Sequence, residues 1–313
     1  MSVLDQLEPH SRTFVEGLLR AGGKPLQELS VDEARQSMHN RQRTPLEHPS
    51  ITFETIEAAG VTVTIVRPAQ LTGPLPAVLH MHGGGWVIGG IETHARLVRE
   101  LAVHSDAAIV FPHYALAPES RFPVALDQCV AVLQWMRSHG ADHAIDSTRL
   151  AVAGDSAGGN FAAAIALEDT AAEFPLRLQA LLCPVVLPPT ETGSYAEFAT
   201  GLNLTRAGMI WFWDHYVPVA ALRSDPRVSP LLASDEALAR TPPALVVSAE
   251  YDVLRDEAEA YARRLTKVGV SVTAVRFLGT IHNFYLQDAL ADSGPAQLAL
   301  RIIGDALKAA LYS

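Results

Sequence analysis

The stretch Leu150–Ala164, LAVAGDSAGGNFAAA, decides how the chain is read. Leu150 to Ala153 is the apolar run that a buried strand needs, and the alanine-rich segment from Asn160 onward reads as helix. Between them stand Gly154, Asp155, Ser156, Ala157, Gly158 and Gly159. An ordinary strand-to-helix turn needs one glycine and a capping residue, whereas this serine is fenced by three glycines and an alanine. The spacing is Gly-x-Ser-x-Gly: a sharp turn puts the serine in strained dihedrals, and the residues two before and two after it must lack bulk. The following helix aims free N–H groups at the serine oxygen region, where negative charge would be stabilised. Ser156 is therefore the candidate nucleophile. A glycine-rich turn with an incidental serine is the competing reading, and a strand before with a helix after counts against it.

Strands and helices alternate outward from this turn. Residues 51–57 and 61–68 flank Gly60 with period-two patterning and predict an antiparallel hairpin at a sheet edge. Residues 76–82 and 107–113 are continuous apolar runs, as parallel strands covered on both faces should be. Helices are predicted over 92–104, 122–140, 254–268 and 295–311, and further strands over 148–153, 178–186, 243–250 and 271–277. The fold class is α/β: a mostly parallel central sheet with helices on both faces. Two segments are left over. Residues 1–48 are helical in pattern and polar, and 188–240 hold MIWFWDHYV, whose Trp211, Phe212, Trp213 and Tyr216 exceed what a connector needs.

A serine nucleophile needs a base and an orienting acid, and on this type of sheet they should follow in chain order. Asp252 lies just past the 243–250 strand, and His282 lies in the loop after the 271–277 strand. Carboxyl ends of parallel strands share one edge of the sheet, so Ser156, Asp252 and His282 can converge. Glu250 still belongs to the strand end, and Asp256 falls in the first turn of the next helix, where a carboxylate commonly faces the helix dipole. Asp252 is preferred over both. The run HMHGGGWVIGG, His80–Gly90, places three glycines after a buried strand and exposes N–H groups of the kind a developing oxyanion requires. A phosphate cradle fails on spacing, because Ile91 and Glu92 stand where Lys and Ser or Thr must be. No metal is expected at His80 and His82, which have no third ligand cluster beside them.

Jointly HGGGW at 82–86, HYALAPE at 113–119, GDSAGG at 154–159, DVLRDE at 252–257 and HNF at 282–284 resemble the bacterial hormone-sensitive-lipase-like esterases of the α/β-hydrolase fold. The likeness runs from about residue 50 to the C-terminus. It implies carboxylester hydrolysis by Ser156, His282 and Asp252, with an oxyanion held by the N–H groups of Gly84, Gly85 and Ala157, and no cofactor. It also implies a 1–48 cap segment on a 49–313 catalytic domain, with 188–240 contributing a cap insertion. The expected pocket residues are Trp86, Trp211, Phe212, Asn283 and Phe284. Two positions depart from the family pattern: Ala115 stands where arginine is usual, and Asn283 where glycine is usual.

Composition narrows the partners. The 313 residues carry 24 basic and 34 acidic side chains, a formal charge of −10, without a basic block, so nucleic acid and anionic membrane surfaces are not expected partners. A small-molecule ester is. The two cysteines, Cys129 and Cys183, sit in a helical pattern and at a strand end and suggest no disulfide framework. Asp5 and Glu8 interrupt any apolar leader, and the chain is expected to be cytoplasmic. A homodimer through the exposed 271–277 strand or its neighbouring helix is a further expectation. Two other activities use the same residues: an amidase or peptidase with this triad, and a non-catalytic ligand-binding member of the fold. The first would need room for a large extra domain in the peptidase case, and the presence of His282 counts against the second.

Overall fold

The computed structural model of the chain describes residues 3–169, 173–189 and 193–313. Residues 1–2 and 190–192, at the start of one expected cap segment and within the other, lie outside the described residues. Eight strands form one sheet in the order β1-β2-β4-β3-β5-β6-β7-β8, with β1 Ile51–Ala58, β2 Val61–Pro68, β3 Leu75–Met81, β4 Ala108–Pro112, β5 Ile145–Asp155, β6 Gln179–Leu182, β7 Ala244–Tyr251 and β8 Val272–Ile281. β1 and β2 form the predicted antiparallel hairpin at one edge, and β2 runs antiparallel to β4. Every later pairing is parallel. This is the α/β-hydrolase architecture.

The burial of each strand follows its position. β3 and β4 are buried throughout because helices cover both sheet faces, and each enclosed Val, Leu or Ile contributes about 1.5–3 kcal/mol relative to exposure. β1, at the edge, is buried only at its ends, Ile51 and Ala58, with half-buried and exposed positions between them. The helices Ile91–Ser105, Val124–His139, Arg255–Lys267 and Gly294–Tyr312 fall within a residue or two of their predicted spans, and the helix expected after Ser156 runs over Ala157–Glu168.

Two strands differ from expectation, for local reasons. The predicted 178–186 strand stops pairing at Leu182, because Cys183 takes a left-handed φ of 44° and Pro184 follows, which turns the chain away over Ser156. β8 runs on to Ile281, since a register shift between Ala249 and Tyr251 lets Tyr251 pair with Ile281. That extension carries the chain up to His282. β8 pairs only with β7 and forms the second sheet edge, with Thr273, Ala274, Arg276 and Leu278 exposed.

The leftover segments are ordered by contacts to loops at the carboxyl edge of the sheet. The helix Val31–Arg41 starts on a Ser30–Glu33 capping box, and its Arg35 donates to the carbonyls of Val87 and Ala117. Gln42 is buried, donating to the Leu286 carbonyl at 3.0 Å and accepting from the Asp288 N–H at 2.9 Å. The helix Arg206–Tyr216 buries Met209, Phe212, Trp213 and Tyr216.

Candidate active site

Ser156 sits between β5 and the helix Ala157–Glu168 with φ 53° and ψ −116°, a conformation that costs a non-glycine residue of order 1–3 kcal/mol. Neighbouring hydrogen bonds over-determine it. Its N–H donates to the Leu182 carbonyl at 2.8 Å, and its carbonyl accepts from Val185 at 3.1 Å and Asn160 at 3.1 Å. The flanking glycines are required by close approach: a β-carbon on Gly154 would collide with the Gly158 carbonyl, and one on Gly158 with the Met81 carbonyl.

The three residues singled out from the sequence meet. His282 Nε2 lies 3.1 Å from Ser156 Oγ, and His282 Nδ1 lies 2.7 Å from Asp252 Oδ2. The other carboxylate oxygen of Asp252 accepts from the Leu254 N–H at 3.0 Å, which fixes the plane of the acid. All three side chains are buried, with exposures of 5% for Ser156, 2% for Asp252 and 7% for His282, so their hydrogen bonds face little competition from water. The rival carboxylates are engaged elsewhere: Glu250 accepts from the Gly279 N–H at 2.7 Å, and Asp256 accepts from the Ser194 N–H and from Arg255, each at 2.8 Å.

Gly84, Gly85 and the start of the helix at Ala157 border the serine. Among the described residues none of these three N–H groups donates to a protein acceptor, so all three are free to meet an oxyanion. Gly85 has a φ of 59°, and a β-carbon there would strike the Phe212 ring, so this loop packs bare against the aromatic helix.

Asp155 is a buried junction that motif reasoning passed over. Its carboxylate accepts from the Gly83 N–H at 3.1 Å and from Asn283 Nδ2 at 2.9 Å, while Asn283 Oδ1 accepts from the Tyr285 hydroxyl at 2.8 Å. His80 and His94 lie 3.6 and 3.4 Å away. Burial works against its charge, yet His94 and His80 beside it hold the carboxyl below its ordinary value. One anion thus ties together the nucleophile turn, the glycine loop and the histidine loop, each through a residue adjacent to a functional one. His80 and His82 are core residues: burial pushes both pKa values down, that of His82 to about 3, and His82 stacks on Tyr114. Glu257, the last residue of the DVLRDE run, is also buried, and burial raises its pKa well above the ordinary value. It accepts from the Val186 N–H at 2.8 Å and the Leu187 N–H at 3.2 Å.

A cavity of about 440 Å³ opens over Ser156 and His282. Of the expected pocket residues, Phe212 and Asn283 line it. Trp86, Trp211 and Phe284 do not: Trp86 is 1% exposed, sandwiched against Tyr216 and Trp213; Phe284 packs on Phe277 and Tyr285; and Trp211 turns to His215. These rings pack beneath and beside the cavity rather than facing into it. The apolar walls come instead from Leu18, Leu26, Leu29 and Met38 in the N-terminal segment, and from Leu202, Leu204 and Met209. Leu18 and Met38 are among the apolar positions of 1–48, the segment expected to cap the site.

Known proteins agree with the fold. Residues 78–286 match the α/β hydrolase fold family. A solved structure of a thermostable esterase from Pseudomonas putida ECU1011 superposes with a TM-score of 0.93 at 44% identity, covering 98% of each chain. An ethyl acetate hydrolase of Pseudomonas putida is 32% identical over 90% of this chain and 92% of its own. The carboxylesterase NlhH of Mycobacterium tuberculosis is 35% identical over 90% of each. The chain belongs to the hormone-sensitive-lipase-like esterases of the α/β-hydrolase fold. It is a carboxylic ester hydrolase. No helix among the described residues is long and apolar enough to cross a membrane.

Proposed function

We propose that the chain hydrolyses short- to medium-chain acyl esters through an acyl-enzyme formed on Ser156. The observation that carries this reading is the continuous hydrogen-bonded chain Ser156–His282–Asp252 at 3.1 and 2.7 Å. His282 Nε2 takes the Ser156 proton as Oγ attacks the ester carbonyl, and the N–H groups of Gly84, Gly85 and Ala157 receive the oxyanion. Collapse of the tetrahedral species expels the alcohol, which takes the proton from His282. Water then repeats the cycle on the acyl-serine and releases the acid. No cofactor enters this scheme. A cytoplasmic setting belongs to the same reading, supported by two free, buried cysteines that need no oxidising compartment. So does a homodimer through the half-paired edge of β8.

Residues 1–48 and part of 188–240 act as the cap, supported by the leucines and methionines they place around the cavity. Each methylene buried there adds about 0.8 kcal/mol until the space is filled, so kcat/KM should rise with acyl length and then fall. The optimum is expected at about four to eight carbons, with long-chain triglycerides poor substrates. Deleting residues 1–40 should flatten or shift the profile measured with 4-nitrophenyl esters of increasing length. An unchanged optimum and rate in the truncated protein would remove this segment from the pocket. Trapping the acyl-serine on a Ser156 peptide by mass spectrometry after acid quench tests the covalent step.

Asn283 is assigned a positioning role through Asp155. Asn283 has a φ of 52°, so Asn283→Gly removes the amide without straining the backbone. A hydrogen bond to a buried charge is worth about 1.5–3 kcal/mol, part of which should be felt in the transition state. The expected result is a kcat loss of about tenfold with KM little changed, equal for acetate and octanoate esters. A loss that depends on acyl length would instead make direct contact with the acyl chain the main role of Asn283.

A further inference from the structure

The cavity over Ser156 is lined by two cations, Lys24 and Arg41, and among the described residues by no carboxylate. Lys24 has an exposed partner in Glu33 at 3.8 Å. Arg41 has none. Among the described residues its guanidinium reaches two neutral acceptors, Asn203 Oδ1 and the Ser37 carbonyl, each at 3.4 Å, which is near the outer limit for a hydrogen bond. One turn and a half earlier on the same helix, Arg35 is held by both oxygens of Glu119 at 2.8 Å. Protein packed around Arg41 lowers its pKa from the ordinary arginine range, and no neighbouring anion offsets that partial desolvation. It keeps accessible surface, so an incoming group can reach it.

The position of Arg41 is also fixed. It is the last residue of a capped helix, and Gln42, next in the chain, is pinned to the loop after His282 by the Leu286 and Asp288 backbone. A mobile surface arginine would have neither anchor. Met38, one turn before it, shares the cavity wall with Leu18, Leu26 and Leu29, so an apolar path leads past the cation.

We propose that this site selects esters that carry a carboxylate at the far end of one limb, with Arg41 as its receptor and Lys24 adding to the local positive field. This rests on the ester-hydrolysis reading of Ser156. The planar guanidinium fork matches a carboxylate, and its unfilled donors are the ones such a group would use. The methylene chain between ester and carboxylate lies along the leucines and Met38. A neutral tail of the same length would press against Arg41 without satisfying it, which disfavours plain fatty esters. The surface carries a net charge of −10 and repels anions, so the attraction is local to the cavity rather than a property of the whole protein.

The test compares monoethyl esters of straight-chain dicarboxylic acids, succinate to suberate, with ethyl esters in which an isopropyl group stands in place of the carboxylate. The acetates of ω-hydroxy acids and their isopropyl counterparts examine the alcohol limb. The readout is the ratio of kcat/KM for anionic over neutral partner, followed by proton release. Wild type should give a ratio above one in at least one series, and Arg41→Met should lower that ratio about tenfold, with Arg41→Lys keeping part of it. Lys24→Met should have a smaller effect. A wild-type ratio below one in every series, or a best ratio that falls less than about threefold in Arg41→Met, overturns the proposal. Thermal denaturation of each variant checks that it is folded, and Arg41→Gln replaces Arg41→Met if it is not. Failure of wild type on the neutral esters as well would count against ester hydrolysis itself, which separates the two readings.

Discussion

Ser156→Ala should lower kcat by at least about 10⁴-fold, because the oxyanion donors and substrate binding alone sustain only residual catalysis. The substitution is a clean one. Among the described residues Ser156 Oγ has one partner, His282 Nε2, and the backbone bonds that hold the strained turn run through the amide and carbonyl, which alanine keeps. Alanine suffers the same left-handed penalty as serine, so the unfolding midpoint should move little. No neighbouring group can substitute. Cys183 is the nearest thiol in the triad's surroundings, but it is 1% exposed and burial raises its pKa far above neutrality, leaving no thiolate to attack. Pre-steady-state kinetics with a 4-nitrophenyl ester should show the burst of nitrophenol abolished along with turnover. Retained activity with an intact burst would sink the nucleophile assignment.

What could be read without coordinates was whatever the chain writes locally. Gly154 and Gly158 must be glycine because two backbones pass within contact distance of them, and that demand stands in five consecutive letters. Asp252 and His282 were found by a topological rule, that loops after parallel strands open on one edge, and the rule needs only strand order. Where contact depends on which face of a helix turns inward, the sequence was silent. Trp86, Trp211 and Phe284 look like pocket residues by type and proximity, yet their rings pack on Tyr216, His215 and Phe277. Leu18 and Met38 stand out as apolar positions in a polar segment expected to roof the serine, and they do wall the cavity, whereas Arg41 carries no such mark and is brought there because Gln42 and Arg35 clamp the segment over the site. The Asp155 junction shows the same limit. Asp155, Gly83 and Asn283 each stand one residue from a motif position, but their meeting depends on strand ends brought together from residues 128 and 72 positions apart. The Cys183 turn that ends β6 was hidden for another reason: a left-handed cysteine has no compositional mark.

Asp252→Asn should cost about 10³- to 10⁴-fold in kcat with the fold preserved, and the hydrogen bonding of Asp252 explains why an isosteric change is so damaging. One carboxylate oxygen accepts from the Leu254 N–H at 3.0 Å and the other faces His282 Nδ1 at 2.7 Å. An asparagine in this place must keep its amide oxygen towards Leu254, since turning the NH2 there would set two donors against each other. Its NH2 then faces His282 Nδ1, which must act as acceptor. The imidazole proton is thereby moved to Nε2, the nitrogen that lies 3.1 Å from Ser156 Oγ and must be empty to take the serine proton. The base is present, in place and in the wrong tautomer. Asp256→Asn makes the contrasting control. Asp256 serves the Ser194 N–H and Arg255 and, among the described residues, makes no bond to His282, so its loss should lower the unfolding midpoint while kcat stays within about tenfold of wild type. Measuring kcat and urea unfolding for both variants separates the two roles. Should Asp256→Asn prove the more damaging to kcat, the orienting acid has been assigned to the wrong carboxylate.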